Sequence, residues 1–145
     1  GLKIAEKFHI NNLVIEQEKF SGKELFEKNL INQIIKYDPN LICLAGFMKI
    51  LSKTFIDKFR GKIINIHPSL LPNYKGLNTH KRAIEAGEKF SGCTVHYVTE
   101  NLDSGKIIAQ EKVSISPDDT PETLSKRVLA IEHIIYPKTI ESLLK

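Results

Sequence analysis

The sequence is poor in cysteine: Cys43 and Cys93 are its only two, each inside an apolar stretch and without the spacing of a metal site or a disulfide framework. Neither G-x-G-x-x-G nor a P-loop occurs, so dinucleotide and nucleoside-triphosphate sites lack support. H-E-x-x-H is also absent and the histidines show no metal-motif spacing, so no metal is expected. No apolar run approaches the roughly 20 residues that cross a bilayer, and the opening GLKIAEKFHI has no continuous apolar core of a signal peptide. Charge of one sign is not concentrated either. The 21 Lys and Arg and 17 Asp and Glu are scattered and leave a net +4, which suits an anionic small molecule better than a nucleic acid. These absences point to a cytoplasmic protein with no membrane or nucleic-acid partner. What is present is enough apolar content, 41% of 145 residues, for one ordinary core, and residues 1–145 are expected to form a single domain.

The periodicities alternate between helix and strand. From Ser21, Leu25/Phe26, Leu30/Ile31 and Ile34/Ile35 recur at helical spacing, with Ser21 and Glu24 as an expected capping box and an end before Pro39. Leu41 to Ala45 is wholly apolar, as a strand covered on both faces should be. A short helix from Lys53 to Arg60, capped by Ser52 and stopped at Gly61, leads to a second apolar strand, Lys62 to Ile66. Pro68, Pro72 and Gly76 mark a loop, and Thr79 to Ala86 a helix. Two β-rich segments, Ser91 to Thr99 and Lys106 to Ile115, flank the turn ENLDSG. Thr120-Pro121 opens the longest helix, with an apolar stripe at Leu124, Val128, Ile131 and Ile135 and an expected bend at Pro137. The class is α/β, a twisted, mostly parallel sheet flanked by helices with an antiparallel C-terminal extension, and sites belong beyond the carboxyl ends of its strands.

Asn65 and His67 stand at such an end, two residues apart and therefore on one face. A carboxamide beside an imidazole can stabilise an oxyanion and move a proton near neutral pH. Asp103, in the turn Asn101-Leu102-Asp103-Ser104-Gly105, could orient the imidazole or relay protons. Taken singly, each also fits a structural role, Asn65 and Asp103 in loop hydrogen bonds and His67 as a satisfied core histidine. Ser69 lacks an elbow motif and reads as a loop brace, His80 and His96 as residues of a helix start and a strand, and His133 as part of a solvated helix face.

Three continuous strings carry a resemblance further: LAGFMKILS from Leu44, NIHPSLLPNYKGLNTHKRAIEAG from Asn65 and TVHYVTENLDSGKII from Thr94. Together they resemble the phosphoribosylglycinamide formyltransferases, members of the formyltransferase superfamily with a Rossmann-like fold, in order from about Phe8 almost to the end. The resemblance implies transfer of a formyl group from 10-formyltetrahydrofolate, a cosubstrate, to the amine of glycinamide ribonucleotide in purine biosynthesis, without a metal. It implies that Asn65 and His67 polarise the formyl group and that Asp103 holds His67 and helps remove the amine proton. By the same matching, the folate is lined by Met48, Lys49, Ile50, Leu51, Asn65 and by Thr99, Glu100, Asn101, Leu102 and Asp103, with Lys23 near its acidic tail, where many relatives carry arginine. Glu132 matches a position associated with the ribose of the ribonucleotide, and a homodimer is the candidate assembly.

Relatives open with a strand and a G-S-G-x-S-N-type turn that receives the substrate phosphate. Residues before Phe8 hold no such turn, so the expectation is a domain without that strand, turn and helix, and poor ribonucleotide binding. The resemblance leaves rivals. A formyltetrahydrofolate deformylase tends to read N-I-H-H-S-F-L-P where this chain has Pro68 and Leu70. A methionyl-tRNA formyltransferase tends to read R-G-A-x-P where this chain has Lys75-Gly76-Leu77-Asn78. A truncated, non-catalytic folate-binding form is the non-enzyme alternative.

Overall fold

The computed structural model describes residues 1–145 and divides into two compact units, Gly1–Asp38 and Pro39–Lys145. The first holds α1 (Leu2–Lys7), a 3-10 turn (Gln17–Lys19) and α2 (Lys23–Ile35). Phe20 meets Phe26 edge to face, ring centroids 5.9 Å apart. The Ser21–Glu24 capping box does not form. Gly22 takes the N-cap position at φ +106 with no side-chain cap bond, which leaves the Ser21 hydroxyl one residue outside the helix entrance. Of the apolar residues on α2, Phe26 is buried while Leu25 and Ile35 are exposed. Neighbouring positions on a helix lie about 100° apart, so Leu25 turns outward where Phe26 turns inward.

The second unit contains β1 (Ile42–Leu44), α3 (Lys53–Lys58), β2 (Ile63–His67), α4 (Thr79–Glu85), β3 (Phe90–Tyr97), β4 (Ile107–Ser114) and α5 (Pro121–Leu143). Its four strands form one sheet in the order β1-β2-β3-β4. The sheet is mixed: β1 and β2 pair in parallel, and β2·β3 and β3·β4 pair antiparallel, as the expected extension requires. Ile63 and Ile64 are both buried, and since successive strand residues point to opposite faces, β2 is covered on both sides. The same expectation fails for β1, where Cys43 is exposed. β1 is the edge strand of this sheet, with one neighbour only.

Local chemistry accounts for the ends of the helices. The Ser52 hydroxyl accepts the Phe55 N–H at 3.2 Å and opens α3. Thr120 and Thr123 exchange side-chain and backbone bonds at the start of α5, with Pro121 in the first turn. Arg127 closes this corner, its two terminal nitrogens 2.7 and 2.5 Å from the Asp119 carboxylate oxygens. α5 runs unbroken through Pro137, although the missing proline N–H removes one bond from the helix ladder. Its stripe packs Leu124, Val128, Ile135 and Tyr136 against Ile64, Cys93 and Val95. The Tyr136 hydroxyl donates to the Leu44 carbonyl at 2.8 Å. No helix is long and apolar enough to cross a membrane.

One buried hydroxyl ties the loop after β2 to β3. Thr94 Oγ1 donates to the Ser69 carbonyl at 2.6 Å, accepts the Leu71 N–H at 3.1 Å and accepts from Gln110 Nε2 at 2.8 Å. Thr94→Val keeps the shape and strands those groups, so it is expected to cost about 1–3 kcal/mol in urea unfolding. An unchanged unfolding midpoint would show that the loop does not depend on this hydroxyl.

Candidate active site

Asn65 and His67 end β2 on one face, as alternation requires, and the pairing of β2 with β3 sets Asn65 opposite His96 and His67 opposite Thr94. Those four side chains share the face opposite to Ile64, Cys93 and Val95, which pack on α5. A register shift between Val95 and His96 disturbs the β3·β4 ladder at this level. Such irregularities re-aim side chains beside functional sites.

Asp103 arrives from the loop between β3 and β4 in a left-handed conformation, φ +46. Its Oδ2 accepts the Gly76 N–H at 2.9 Å and lies 3.4 Å from His67 Nδ1. Its Oδ1 lies 3.7 Å from His96 Nε2. The other nitrogen of His67, Nε2, is 3.0 Å from the Tyr74 carbonyl. Both His67 nitrogens therefore face oxygens, the Tyr74 carbonyl and the Asp103 carboxyl. Tyr74 is itself at φ +54, a backbone state costing a residue of its kind about 1–2 kcal/mol. The loop accepts that conformation while its carbonyl points at the imidazole.

A cavity of about 500 Å³ opens beside these groups, lined by Gly46 to Ile50, Asn65 to Pro68, Gly76 to His80, Leu102, Asp103 and, from α5, Ser125, Val128, Leu129 and Glu132. A smaller one, about 70 Å³, lies against Lys49, Ile50, Leu51, Asn65, His96 and the loop Val98 to Asp103. The structure thus gathers Asn65, His67, Asp103, Met48, Lys49, Ile50, Leu51, Thr99, Glu100, Asn101, Leu102 and Glu132 around two adjoining spaces. Met48, Ile50 and Leu102 are more than half exposed there, whereas Leu51 is buried and serves the core as well. Lys23 lies in the N-terminal unit, at the start of α2, 3.8 Å from Glu27. Ser69 braces its loop by donating to the Asn73 carbonyl at 2.7 Å, and His133 is exposed on α5. No group of three or more His, Cys, Asp or Glu side chains is placed to hold a metal.

The loop that presents Asp103 is pinned at two points: Lys53 Nζ is 2.7 Å from Glu100 Oε1, and Lys75 Nζ meets the Ser104 hydroxyl. Sequence alone does not mark His96 and His80 as site residues. The first abuts Asp103 and the second lines the larger cavity. The signal for His96 is its shared parity with Thr94, which becomes meaningful only once the register with Asn65 is known.

Burial pushes the His96 ring below its ordinary value, against the pull of the Tyr97 carbonyl and Asp103 and with a further push from His67. Burial, then the charge of His67, does the same to His80. A histidine held neutral in the fold takes up a proton more readily unfolded, so its contribution is complete above the unfolded value of about 6.5 and is lost as pH falls below it. Glu132, raised by burial, works the other way: its stabilising effect is present at low pH and is lost as pH rises through its folded value. The His96 share is isolated by comparison: Tm should fall as pH drops below about 6.5, and less steeply in His96→Gln. Parallel profiles would refute it.

A family model described as formyl transferase matches residues 1–140. The trifunctional purine biosynthetic protein adenosine-3 of Chironomus tentans is 49% identical over 97% of this chain, which spans 10% of that relative's length. The phosphoribosylglycinamide formyltransferase of Bacillus subtilis is 44% identical over 97% of the chain, which covers 72% of it. Among solved structures, the phosphoribosylglycinamide formyltransferase of Bacillus halodurans superposes with a TM-score of 0.93 at 38% identity, over 99% of this chain and 74% of that one. The corresponding enzyme of Coxiella burnetii gives 0.89 at 54% identity, over 94% and 64%.

Proposed function

The chain belongs to the formyl transferase family, and from that premise we propose that it carries the transfer of a formyl group from 10-formyltetrahydrofolate to the amine of glycinamide ribonucleotide. The observation that carries the reading is the convergence of Asn65, His67 and Asp103 on one cavity, with a carboxylate 3.4 Å from the imidazole. A formyl oxygen that gains negative charge needs fixed donors near it, and the Asn65 amide borders both cavities. His67 supplies a second donor when Nε2 exchanges the Tyr74 carbonyl for the formyl oxygen.

The amine attacks the formyl carbon directly, so a C–N bond forms as the carbonyl pair moves to oxygen. Asp103 accepts the proton that the amine loses, and collapse breaks the bond to the folate nitrogen, which leaves with a proton taken from solvent water. The exposed apolar rim at Met48, Ile50 and Leu102 suits a flat heterocycle, with loop backbone from Thr99 to Asp103 to read its edges. Glu132, which lines the same cavity from α5, takes the hydroxyls of the ribonucleotide in this reading.

Incubation with both substrates, followed by chromatography of the products, tests the reading. Formylated glycinamide ribonucleotide and tetrahydrofolate in equal amounts are expected. Release of formate without formylation of the amine would instead make the chain a deformylase.

A further inference from the structure

His96 has no part in the chemistry above, and its setting is not that of a spectator. The residue is 2% exposed. Its Nδ1 lies 2.9 Å from the Tyr97 carbonyl, an oxygen that only accepts, so Nδ1 carries the N–H and Nε2 of the neutral ring is a bare lone pair. That Nε2 is buried without a hydrogen-bond partner and faces Asp103 Oδ1 at 3.7 Å. A lone pair set against a carboxylate is an unfavourable contact, and a buried polar atom left unsatisfied costs free energy. The contact turns favourable once a proton lies between the two atoms. Asp103 is the group that receives a proton in the reading above. The His67 ring is engaged elsewhere as well, Nε2 at 3.0 Å from the Tyr74 carbonyl and Nδ1 beside the other Asp103 oxygen.

We propose that His96 is a positioning residue that acts through Asp103: its Nε2 receives the proton that Asp103 takes from the substrate amine, restoring the carboxylate and clamping it by an ion pair. The inference rests on the formyl-transfer reading. In the first step the amine N–H bond breaks and an O–H bond forms on Asp103. In the second that O–H bond breaks, its electron pair stays on the carboxylate, and the Nε2–H bond forms. The 70 Å³ cavity bordered by Asp103 has room for a water through which the carboxylate exchanges protons with solvent. The charged or titratable groups set against His96 are His67 from β2 and Asp103 from the following loop; Lys49 and Glu100 border the same cavity, Glu100 held by Lys53. Burial keeps the ring neutral and ready to accept.

Two variants separate a proton-carrying role from a spatial one. In His96→Gln an amide nitrogen replaces Nε2 and can bond Asp103 but cannot take up a proton; His96→Asn keeps only the donor toward the Tyr97 carbonyl. Both are expected to lower kcat on the order of 10²-fold, with KM for each substrate changed by less than about threefold. Independently of turnover, ring nitrogen NMR of the full chain should show His96 titrating, with its midpoint falling by roughly one pH unit in Asp103→Asn. A kcat for His96→Gln within about twofold of the unmodified chain, or a His96 midpoint unmoved by Asp103→Asn, overturns the inference. If the unmodified chain formylates no amine, it is the formyl-transfer reading that fails, and the titration still decides whether His96 and Asp103 share a proton.

Discussion

Asp103→Asn is expected to lower kcat for formyl transfer by roughly 10²–10⁴-fold while leaving the affinity for the folate nearly unchanged. The asparagine carbonyl can still accept the Gly76 N–H now bonded at 2.9 Å, so the loop keeps its anchor. What the substitution removes is the negative charge 3.4 Å from His67 and the capacity to receive a proton. Asp103→Ala removes the anchor as well, and any difference between the two variants measures the loop rather than the chemistry. His67→Ala should fall in the same range, and the double variant should cost little more than either single one, because the two residues act as a unit. Steady-state kinetics with folate affinity measured separately checks the claim. Asp103→Asn with turnover near that of the unmodified chain would remove Asp103 from the mechanism.

Gly105→Ala is the second large effect. A Cβ there would stand 1.7 Å from the Tyr97 carbonyl oxygen and 2.7 Å from its carbon. Both are backbone atoms, so no side-chain rotation relieves the clash. The strand end must part from the loop, breaking the bond from Tyr97 N–H to the Lys106 carbonyl, 2.9 Å long. A loss of about 3 kcal/mol in urea unfolding is expected, and the folded molecules should also turn over poorly, since Asp103 is carried on the same loop. Gly46→Ala is the comparison. Gly46 has φ +64, and the added methyl would meet nothing within 4 Å, so only backbone strain of about 1–2 kcal/mol applies. Equal losses at the two glycines would show that close approach at Gly105 is not what holds the loop.

These two effects differ in how far they can be read from the chain. Asp103 can be suspected from the string around it, because turn aspartates and the matching formyltransferase pattern coincide there. Gly105 can be seen to end a turn, but its contact with Tyr97 belongs to the packed hairpin. Similar contrasts run through the fold. Ser52 and Thr120-Pro121 announce their helices because capping depends on residues three or four apart. Ser21 misleads for the same local reason: Gly22 supplies a conformation that takes the cap position away from it. β1 has the pattern of a strand buried on both faces, yet Cys43 is exposed, because burial of a face depends on what packs above and below it, which the strand's own residues do not name.

Local patterns along the chain are enough to set the alternation of helices and strands, the lack of metal and dinucleotide motifs, and the placement of Asn65 and His67 on one face at a strand end. Those follow from local periodicity and side-chain chemistry. It is the packed fold that sets Asp103 between two imidazoles, turns the Tyr74 carbonyl to His67 and leaves a buried lone pair of His96 facing the carboxylate. Each of those contacts depends on the antiparallel register that sets His96 opposite Asn65, or on loop backbone at positive φ. Register arises from the summed packing of both strands, and a left-handed loop from contacts with distant residues, so neither is written in any short stretch of chain.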